Sequence, residues 1–220
     1  MEEARRRLVW LLEAQGVIRS EEVKRAMLRV PREEFVPPRY RSEAYEDYPL
    51  PIPEGQTISA PHMCAIMCEA ASLKRGDRVL EIGTGSGYHA ALCAEIVSPT
   101  GEPLEGLVVS VEVLKKLSYF ARDNLRRAGY YDRVHLIVAD GSMGAPVRGS
   151  FNRIIVTAAA PRVPPPLLEQ LAEGGVMVIP VGPRWHQLLL AVRKRRGKVE
   201  SEPVTTCIFV ALRGRYGYGR

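Results

Sequence analysis

A glycine-rich turn inside residues 79–88, which read VLEIGTGSGY, sets strong limits on the fold of this chain. A strand-forming run, apolar apart from Glu81, leads directly into three glycines, and helix-forming residues follow. Glycine adopts positive φ angles and has no Cβ atom, so a ligand can approach the main chain of such a turn closely. The segment therefore predicts a buried strand, a ligand-binding turn and a helix, in that order.

From this turn onward, strand-like and helix-like patterns alternate. The predicted strands are residues 78–82, 107–111, 134–138, 154–157, 176–181, 188–192 and 206–210. The predicted helices are residues 62–71, 88–96, 114–128 and 165–171. Short apolar strands separated by helices are typical of a parallel sheet that is covered on both faces. The last two strands flank Gly197 and are expected to pair antiparallel.

The first part of the chain has a different character. Residues 5–14 have leucines at helical spacing, and Ser20 followed by two glutamates has the capping pattern of a second helix. Residues 30–61 contain seven prolines and no sustained period, which predicts a long ordered loop. We therefore predict a single domain with N-terminal helices and a loop (1–61), an α/β core (62–212) and a basic tail (213–220). Within the core, residues 98–106 are expected to form a surface loop.

The charge balance raises one other class of function. A net charge of +6 and a pI near 9.3 are found in proteins that bind nucleic acids. The lysines and arginines are scattered, however, over the first helix, a predicted hairpin turn and the tail, which favours solvated surface charges. No stable nucleic-acid partner is therefore expected. The chain has only two asparagines and four glutamines beside 17 prolines, which predicts a heat-resistant, thermophilic protein.

The four cysteines form no CxxC pair and have no histidine at zinc spacing, so no metal site is predicted. Cys64 and Cys68 stand four apart on a predicted helix and are expected to be small buried thiols. The sequence has no apolar run of about 18 residues and no secretory signal pattern at its start. These features predict a cytoplasmic protein without membrane association.

Acidic residues lie at the ends of three successive predicted strands. Glu81 lies in the first strand, Glu112 ends the second and Asp140 follows the third. In open α/β sheets, the carboxyl ends of the strands border the crevice that binds ligands. Glu112 has the position of an acid that accepts hydrogen bonds from both hydroxyls of a ribose.

The glycines alone do not identify the nucleotide that is bound, because the dinucleotide pattern G-x-G-x-x-G is met only with Ala90 in its last position. The pattern E-x-G-x-G-x-G of residues 81–87 resembles the first motif of Rossmann-like S-adenosylmethionine methyltransferases. This resemblance implies S-adenosylmethionine as the cofactor. It also implies that Asp140 meets the adenine amino group and that a neighbouring backbone amide meets the ring.

Three further segments resemble the protein-L-isoaspartate O-methyltransferase family: residues 55–63 (GQTISAPHM), 151–161 (FNRIIVTAAAP) and 173–182 (EGGVMVIPVG). The resemblance implies a Rossmann-like α/β/α sandwich with a mainly parallel seven-stranded sheet and an N-terminal helical cap. The implied strand order is 3-2-1-4-5, followed by two strands in an unusual order. The implied enzyme methylates the α-carboxyl of L-isoaspartyl residues in damaged proteins and peptides, which initiates repair through a succinimide. A monomer is expected.

The resemblance also implies a set of site residues, with Ser59 in the catalytic role. Those expected to bind the cofactor are Gln56, Thr57, Ile58, Ser59, Glu81, Gly83, Thr84, Gly85, Gly87, Tyr88, Glu112, Val113, Asp140 and Gly141. Those expected to bind the substrate are Thr57, Ile58, Ser59, His62, Thr157, Ala158 and Leu212.

The chemistry of this reaction requires no general base. A carboxylate with a reference pKa near 3.5 is already ionised at pH 7, so it can attack a sulfonium methyl without losing a proton. Positioning and exclusion of water are expected to supply the catalysis. His62 is accordingly expected to orient its surroundings by hydrogen bonding, and His89 to lie on a helix surface near the cofactor.

Two other functions stay open at this point. An RNA methyltransferase on the same fold is favoured by the positive charge and the Arg-Tyr-Gly tail, but the chain lacks the Asn-Pro-Pro-Tyr type of motif used by amino-group methylases. A non-catalytic cofactor-binding module is disfavoured by the intact loop at Ser59. The chain also departs from the family pattern Phe-Val-Pro-Leu with residues 209–212 (FVAL), which leaves the contacts of the C-terminal region open.

Overall fold

The computed structural model describes residues 1–219, and Arg220, the last residue of the predicted basic tail, lies outside the described residues. The α-helices are α1 (Glu2–Ala14), α2 (Glu21–Arg29), α3 (Pro61–Ala71), α4 (Tyr88–Val97), α5 (Lys115–Ala128) and α6 (Pro165–Gln170). The strands are β1 (Leu50–Ile52), β2 (Gln56–Ile58), β3 (Arg78–Ile82), β4 (Leu107–Glu112), β5 (Val134–Val138), β6 (Phe151–Val156), β7 (Leu171–Val181), β8 (Gln187–Arg195) and β9 (Lys198–Cys207). No helix within residues 1–219 is both long and apolar enough to cross a bilayer.

The large sheet has the order β5-β4-β3-β6-β7-β8-β9. Its first five strands are parallel, and β8 and β9 are added antiparallel at one edge. The predicted order 3-2-1-4-5 is therefore confirmed. The expectation of an unusual order for the two final strands is wrong, because β8 and β9 follow β7 in sequential order as an antiparallel hairpin. The tight turn between them contains Arg196 and Gly197, both at positive φ, as expected for a two-residue hairpin.

The strand order places a crevice directly above the glycine-rich turn. The chain leaves β3 in the middle of the sheet, and the strands β4 and β6 lie on opposite sides of it. The connection that follows β3 and the connection that follows its neighbour β6 run to opposite faces of the sheet. The carboxyl ends of these two strands therefore stay uncovered. The fold alone thus opens a ligand-sized space above the turn that the sequence singled out.

The N-terminal helices form a cap over one face of the sheet. Ser20 accepts a hydrogen bond from the Val23 amide and so begins α2 as the capping pattern predicts. Apolar residues of α1 and α2 join α3, α4 and the sheet in one continuous core. A second core on the opposite face is formed by β3, β6 and β7 with α6 and the segment after β9.

The proline-rich segment, residues 30–61, is ordered and contains no α-helix, as predicted. It is built of short 3₁₀ turns and the hairpin of β1 and β2, in which Leu50 pairs with Ile58. Leu50, Ile52 and Ile58 are buried in the main core. The hairpin therefore anchors the segment that leads into Ser59.

Several predicted strand limits differ from the structure. The strands β6, β7 and β8 begin earlier than predicted, and β9 ends at Cys207, whereas the sequence placed the last strand at residues 206–210. β9 is an edge strand whose residues are mostly exposed, so it needs no apolar pattern. The apolar residues after it instead leave the sheet, and Ala211 pairs with Ala159 beside the crevice.

Candidate active site

The strand-end crevice is an open space above β3 and β4, at the carboxyl ends of these strands. Its lining combines a few polar groups with an apolar wall, as small-molecule sites usually do. Residues predicted to bind cofactor or substrate that line it are Gln56, Thr57, Gly83, Gly85, Glu112, Val113, Gly141, Thr157, Ala158 and Leu212. Residues that the sequence did not single out are Ile82, Val111, Leu114, Leu117, Val210, Ala211 and Arg213.

Close packing requires glycine at two positions in the crevice floor. Gly83 has a φ of 96°, and a Cβ atom there would lie 2.5 Å from the Thr157 hydroxyl oxygen. A Cβ atom on Gly141 would lie 2.7 Å from a methyl carbon of Ile82. The single hydroxyl hydrogen of Thr157 in turn points to the Gly83 carbonyl at 2.5 Å, with the Ile82 carbonyl at 3.2 Å as the alternative acceptor. Thr157 therefore holds the glycine turn against β6, in addition to lining the crevice.

Glu112 is the charged group of the crevice wall. Its side chain is almost completely buried, and its two carboxylate oxygens accept hydrogen bonds from the amides of Gly85 and Leu114, each at 3.0 Å. Burial raises the pKa of Glu112 above its ordinary value, and the two amide donors oppose this rise. Each oxygen keeps a further lone pair, so the carboxylate can still accept hydrogen bonds from two hydroxyl groups.

Asp140 lies at the end of β5, as predicted, but it does not line the crevice. Its carboxylate accepts hydrogen bonds from the amide of Ser142 at 3.0 Å and from the amide of Arg215 at 2.9 Å. The Tyr216 amide donates to the Ser142 hydroxyl at 3.0 Å. The C-terminal tail is therefore fixed on the β5 turn, and Arg213 at its start reaches the crevice. An adenine contact of Asp140 stays a prediction.

Glu81 and His89 lie beneath the crevice. Glu81 is fully buried and accepts a hydrogen bond from Ser110, and its other carboxylate oxygen lies 3.5 Å from Nδ1 of His89. The expectation that His89 lies on a helix surface is wrong, because every residue of α4 is buried between the sheet and neighbouring helices. The His89 ring nitrogens lie 3.7 Å from the sulfurs of Cys68 and Cys93. Carboxylate and thiol neighbours keep the pKa of His89 raised against the effect of burial.

A second pocket, called the loop pocket here, lies between the Ser59 loop and the start of α4. Predicted residues that line it are Thr57, Ile58, Ser59, Gly83, Thr84, Gly85, Tyr88 and Thr157. His89 and Cys64 also reach it. The Ser59 hydroxyl makes no hydrogen bond to any residue from 1 to 219, so it is available to a ligand.

A larger outer groove lies on the solvent side of Ser59. It is lined by Thr57, Ser59, His62 and Thr157 of the predicted set, and by Pro49, Ala60, Met63, Arg184, Trp185, Thr206, Cys207, Ile208, Phe209, Val210 and Ala211. His62 has the orienting contact expected of it, because its amide and its ring both bind Asp47 at 2.9 Å. Thr57 and Thr157 line the crevice, the loop pocket and the groove. The three spaces therefore meet at these two threonines.

Three of the predicted cofactor residues, Glu81, Gly87 and Asp140, have structural contacts and line none of the three spaces. Gly87 begins α4 at a φ of 88° and packs against Ala121 and Leu125 of α5. Glu81 supports the turn from below. The sequence prediction also missed Asn124, a fully buried side chain that donates to the Ser86 carbonyl at 2.9 Å. An asparagine on the apolar face of α5 was the signal for this role.

Comparison with known proteins decides between the alternatives left open by the sequence. Residues 3–217 match the family model of the protein-L-isoaspartate(D-aspartate) O-methyltransferases. The chain belongs to this family. A protein-L-isoaspartate O-methyltransferase of Hyperthermus butylicus is 61% identical over 219 residues, which cover 98% of this chain and 91% of that one. Its counterpart in Korarchaeum cryptofilum is 53% identical, with 96% and 98% covered.

Solved structures agree with this assignment. A crystal structure described as a putative protein-L-isoaspartate O-methyltransferase from Plasmodium falciparum, in complex with S-adenosyl-L-homocysteine, superimposes with a TM-score of 0.83. It is 29% identical and covers 94% of this chain and 96% of that one. A second protein-L-isoaspartate O-methyltransferase structure also has a TM-score of 0.83, at 33% identity, with 97% and 67% covered. The two sequence relatives, from Hyperthermus butylicus and Korarchaeum cryptofilum, belong to thermophilic archaea, which agrees with the heat-resistant composition.

Proposed function

We propose that this member of the protein-L-isoaspartate O-methyltransferase family transfers a methyl group from S-adenosylmethionine to the α-carboxyl of L-isoaspartyl residues in proteins and peptides. The observation that carries the proposal is the meeting of the strand-end crevice and the outer groove at Thr57 and Thr157, beside the free hydroxyl of Ser59. A cofactor in the crevice and a polypeptide in the groove would therefore face each other across Ser59.

The crevice fits S-adenosylmethionine by the chemistry of its donors. The buried carboxylate of Glu112 suits the two ribose hydroxyls, and the absence of side chains at Gly83 and Gly85 leaves the main chain open to the methionine part. The apolar residues Val113, Leu114 and Leu212 suit the adenine ring. When bound, the cofactor supplies a methyl group activated by a positively charged sulfur.

The residues around Ser59 would position the attacking carboxylate. The substrate carboxylate is ionised at neutral pH, so no side chain has to remove a proton. The Ser59 hydroxyl can donate to one carboxylate oxygen and leave the other free to attack. Burial of the reacting groups replaces water by fixed protein groups, which favours a step in which an anion and a cation neutralise each other. The ester formed would then cyclise to a succinimide without further help.

Paired peptides test the proposed function. A peptide with L-isoaspartate is expected to be methylated at least about a thousandfold faster than the same peptide with L-aspartate. An apolar pocket discriminates by only about 10 to 200-fold in rate between substrates that differ by one methylene. Misplacement of the reacting oxygen by about 1 Å lowers the rate by roughly a further hundredfold. The measurement is transfer of a labelled methyl group, which mild base should release as methanol. Equal methylation of both peptides, or a base-stable product, would contradict the proposal.

The same assay tests Ser59. Ser59→Ala is expected to lower kcat for the isoaspartyl peptide and to leave cofactor affinity within about twofold, because the hydroxyl is proposed to hold the substrate. Ser201→Ala on the exposed strand β9 serves as the control and should change neither value. If Ser59→Ala weakens cofactor binding while kcat at saturation survives, Ser59 binds cofactor and is not catalytic.

We further propose that the protein acts in the cytoplasm as a monomer on isoaspartyl proteins. The four cysteines are free thiols, which supports a reducing compartment. No cluster of metal-ligating side chains occurs in the part of the chain that the structure describes.

A further inference from the structure

Arg32 has an unusual position for an arginine. It lies in a short 3₁₀ turn, Arg32–Phe35, between the helical cap and the core, and its side chain is completely buried. Its guanidinium stacks on the ring of Tyr88 at 4.9 Å, where α4 begins. It forms no ion pair with any carboxylate among residues 1–219, and its Nη1 has no hydrogen-bond partner there.

The remaining donors of Arg32 connect two points of the proline-rich segment. Nε donates to the carbonyl of Ala44 and Nη2 donates to the carbonyl of Ser59, both at 2.8 Å. The Arg32 amide is held by the Tyr45 hydroxyl at 3.2 Å. The guanidinium is thus fixed on three sides and reaches the residue that lines both the loop pocket and the outer groove.

A buried cation without a counter-ion is costly for folding, because the charge loses its hydration and gains no partner. Neutral donors could satisfy the same two carbonyls at a lower cost in folding free energy. Departures of this kind from the usual rules of folding concentrate at functional sites. Unlike a neutral donor, the planar guanidinium of arginine can hold two carbonyls and an aromatic ring in one rigid geometry.

We propose that Arg32 is a positioning residue for methyl transfer. It fixes the Ser59 carbonyl, and through the main chain it holds the Ser59 hydroxyl toward the substrate carboxylate. Arg32 touches neither substrate nor cofactor and acts only through Ser59. The proposal therefore rests on the catalytic role of Ser59 in the proposed function.

The first test is the kinetics of Arg32→Met and Arg32→Lys with an isoaspartyl peptide. Arg32→Met is expected to lower kcat about a hundredfold, the effect of a misplacement of about 1 Å, and to leave cofactor affinity within about twofold. Arg32→Lys retains a cationic donor group but loses the planar fork, and its kcat is expected to lie between those of Arg32→Met and the wild type. Full kcat in Arg32→Met, or equal loss of kcat and cofactor affinity, would overturn the proposal. If Arg32→Met does not fold, wild-type kcat in Arg32→Lys overturns it and reduced kcat with retained cofactor affinity supports it.

Arg133→Met is the matched control. Arg133 is also a mostly buried arginine, lies over the ring of Tyr130 at 5.8 Å and donates to the Ser98 carbonyl at 2.8 Å, but it contacts neither Arg32 nor Ser59. Arg133→Met should lose stability and retain kcat. A loss of kcat in Arg133→Met equal to that in Arg32→Met would show a general effect of lost stability and overturn the proposal.

A double-mutant cycle separates this inference from the role of Ser59. If Arg32 acts through the Ser59 hydroxyl, Arg32→Met should cost little further activity in the Ser59→Ala background. Independent losses that multiply in the double variant would overturn the proposal for Arg32 alone. Unchanged kcat in Ser59→Ala would instead overturn the catalytic role of Ser59, and the proposal for Arg32 with it.

Discussion

At the scale of single residues, Glu112 supports the cofactor assignment most directly. Its carboxylate is buried, aimed into the crevice and held by two backbone amides. Glu112→Ala is expected to weaken S-adenosylmethionine binding by about 1.5 to 3 kcal/mol, the usual effect of losing charge-assisted hydrogen bonds. Calorimetric titration measures this, with Glu105→Ala in the exposed loop after α4 as the control. Unchanged affinity in Glu112→Ala would remove Glu112 from the ribose site.

The raised pKa of Glu112 adds a pH dependence. Burial raises the pKa of this carboxyl, and ribose hydroxyls donate to its ionised form. Cofactor affinity should therefore be at its full value above the raised pKa of Glu112 and fall as the pH is lowered through that pKa. In Glu112→Gln, affinity should be lower and nearly independent of pH over this range. An equally steep decline in Glu112→Gln would assign the titration to another group.

The residues that sequence reasoning missed share a physical cause. Glu112 and Gly83 could be predicted because strand ends and glycine turns have local patterns. The role of Asn124 depends on which face of α5 is buried, and His89 is buried only because the cap covers α4. Arg32 gave no signal at all, since a lone arginine is expected at the surface. Contacts between distant segments decide all three cases.

At the scale of elements, the parallel strands could be predicted and the last antiparallel strand could not. β3 and β4 are mostly buried, β5 is a mainly apolar strand at the edge of the sheet, and the predicted limits of all three agree with the structure to within a residue. β9 pairs on one side only and is mostly exposed, so its sequence lacks the pattern of a strand. The following residues, 208–212, have an apolar pattern because they cover the crevice and pair beside Ala159.

The C-terminal tail is an element whose docking can be tested at one glycine. Gly214 has a φ of 116°, and a Cβ atom there would lie 1.9 Å from the Asp140 carboxylate. Gly214→Ala should therefore release the tail, so that trypsin cleaves faster after Arg213 and Arg215. Gly219→Ala, with no atom within 4 Å of the added Cβ, should leave cleavage unchanged. Equal cleavage rates in both variants would show that the tail does not depend on this contact.

At the scale of the whole molecule, the cap and the α/β core share one set of buried residues. Side chains of α1 and α2 belong to the same apolar cluster as those of α3, α4 and the sheet. The helix α4, which carries the end of the glycine turn, is covered by α2. We therefore expect the cap to stabilise the cofactor site and the chain to unfold as one unit.

Met27→Ala in α2 tests this coupling. Met27 is 2% exposed, and its truncation should cost about 2 to 5 kcal/mol of unfolding free energy, since a cavity remains where its side chain packs. Leu28→Ala changes the neighbouring residue, which is 36% exposed, and should cost much less. Because cap and core share a cluster, calorimetry of Met27→Ala should show one transition at a lower temperature, with calorimetric and van't Hoff enthalpies in agreement. An early separate transition of the cap, with the main transition unshifted, would show that residues 1–61 fold independently of the core.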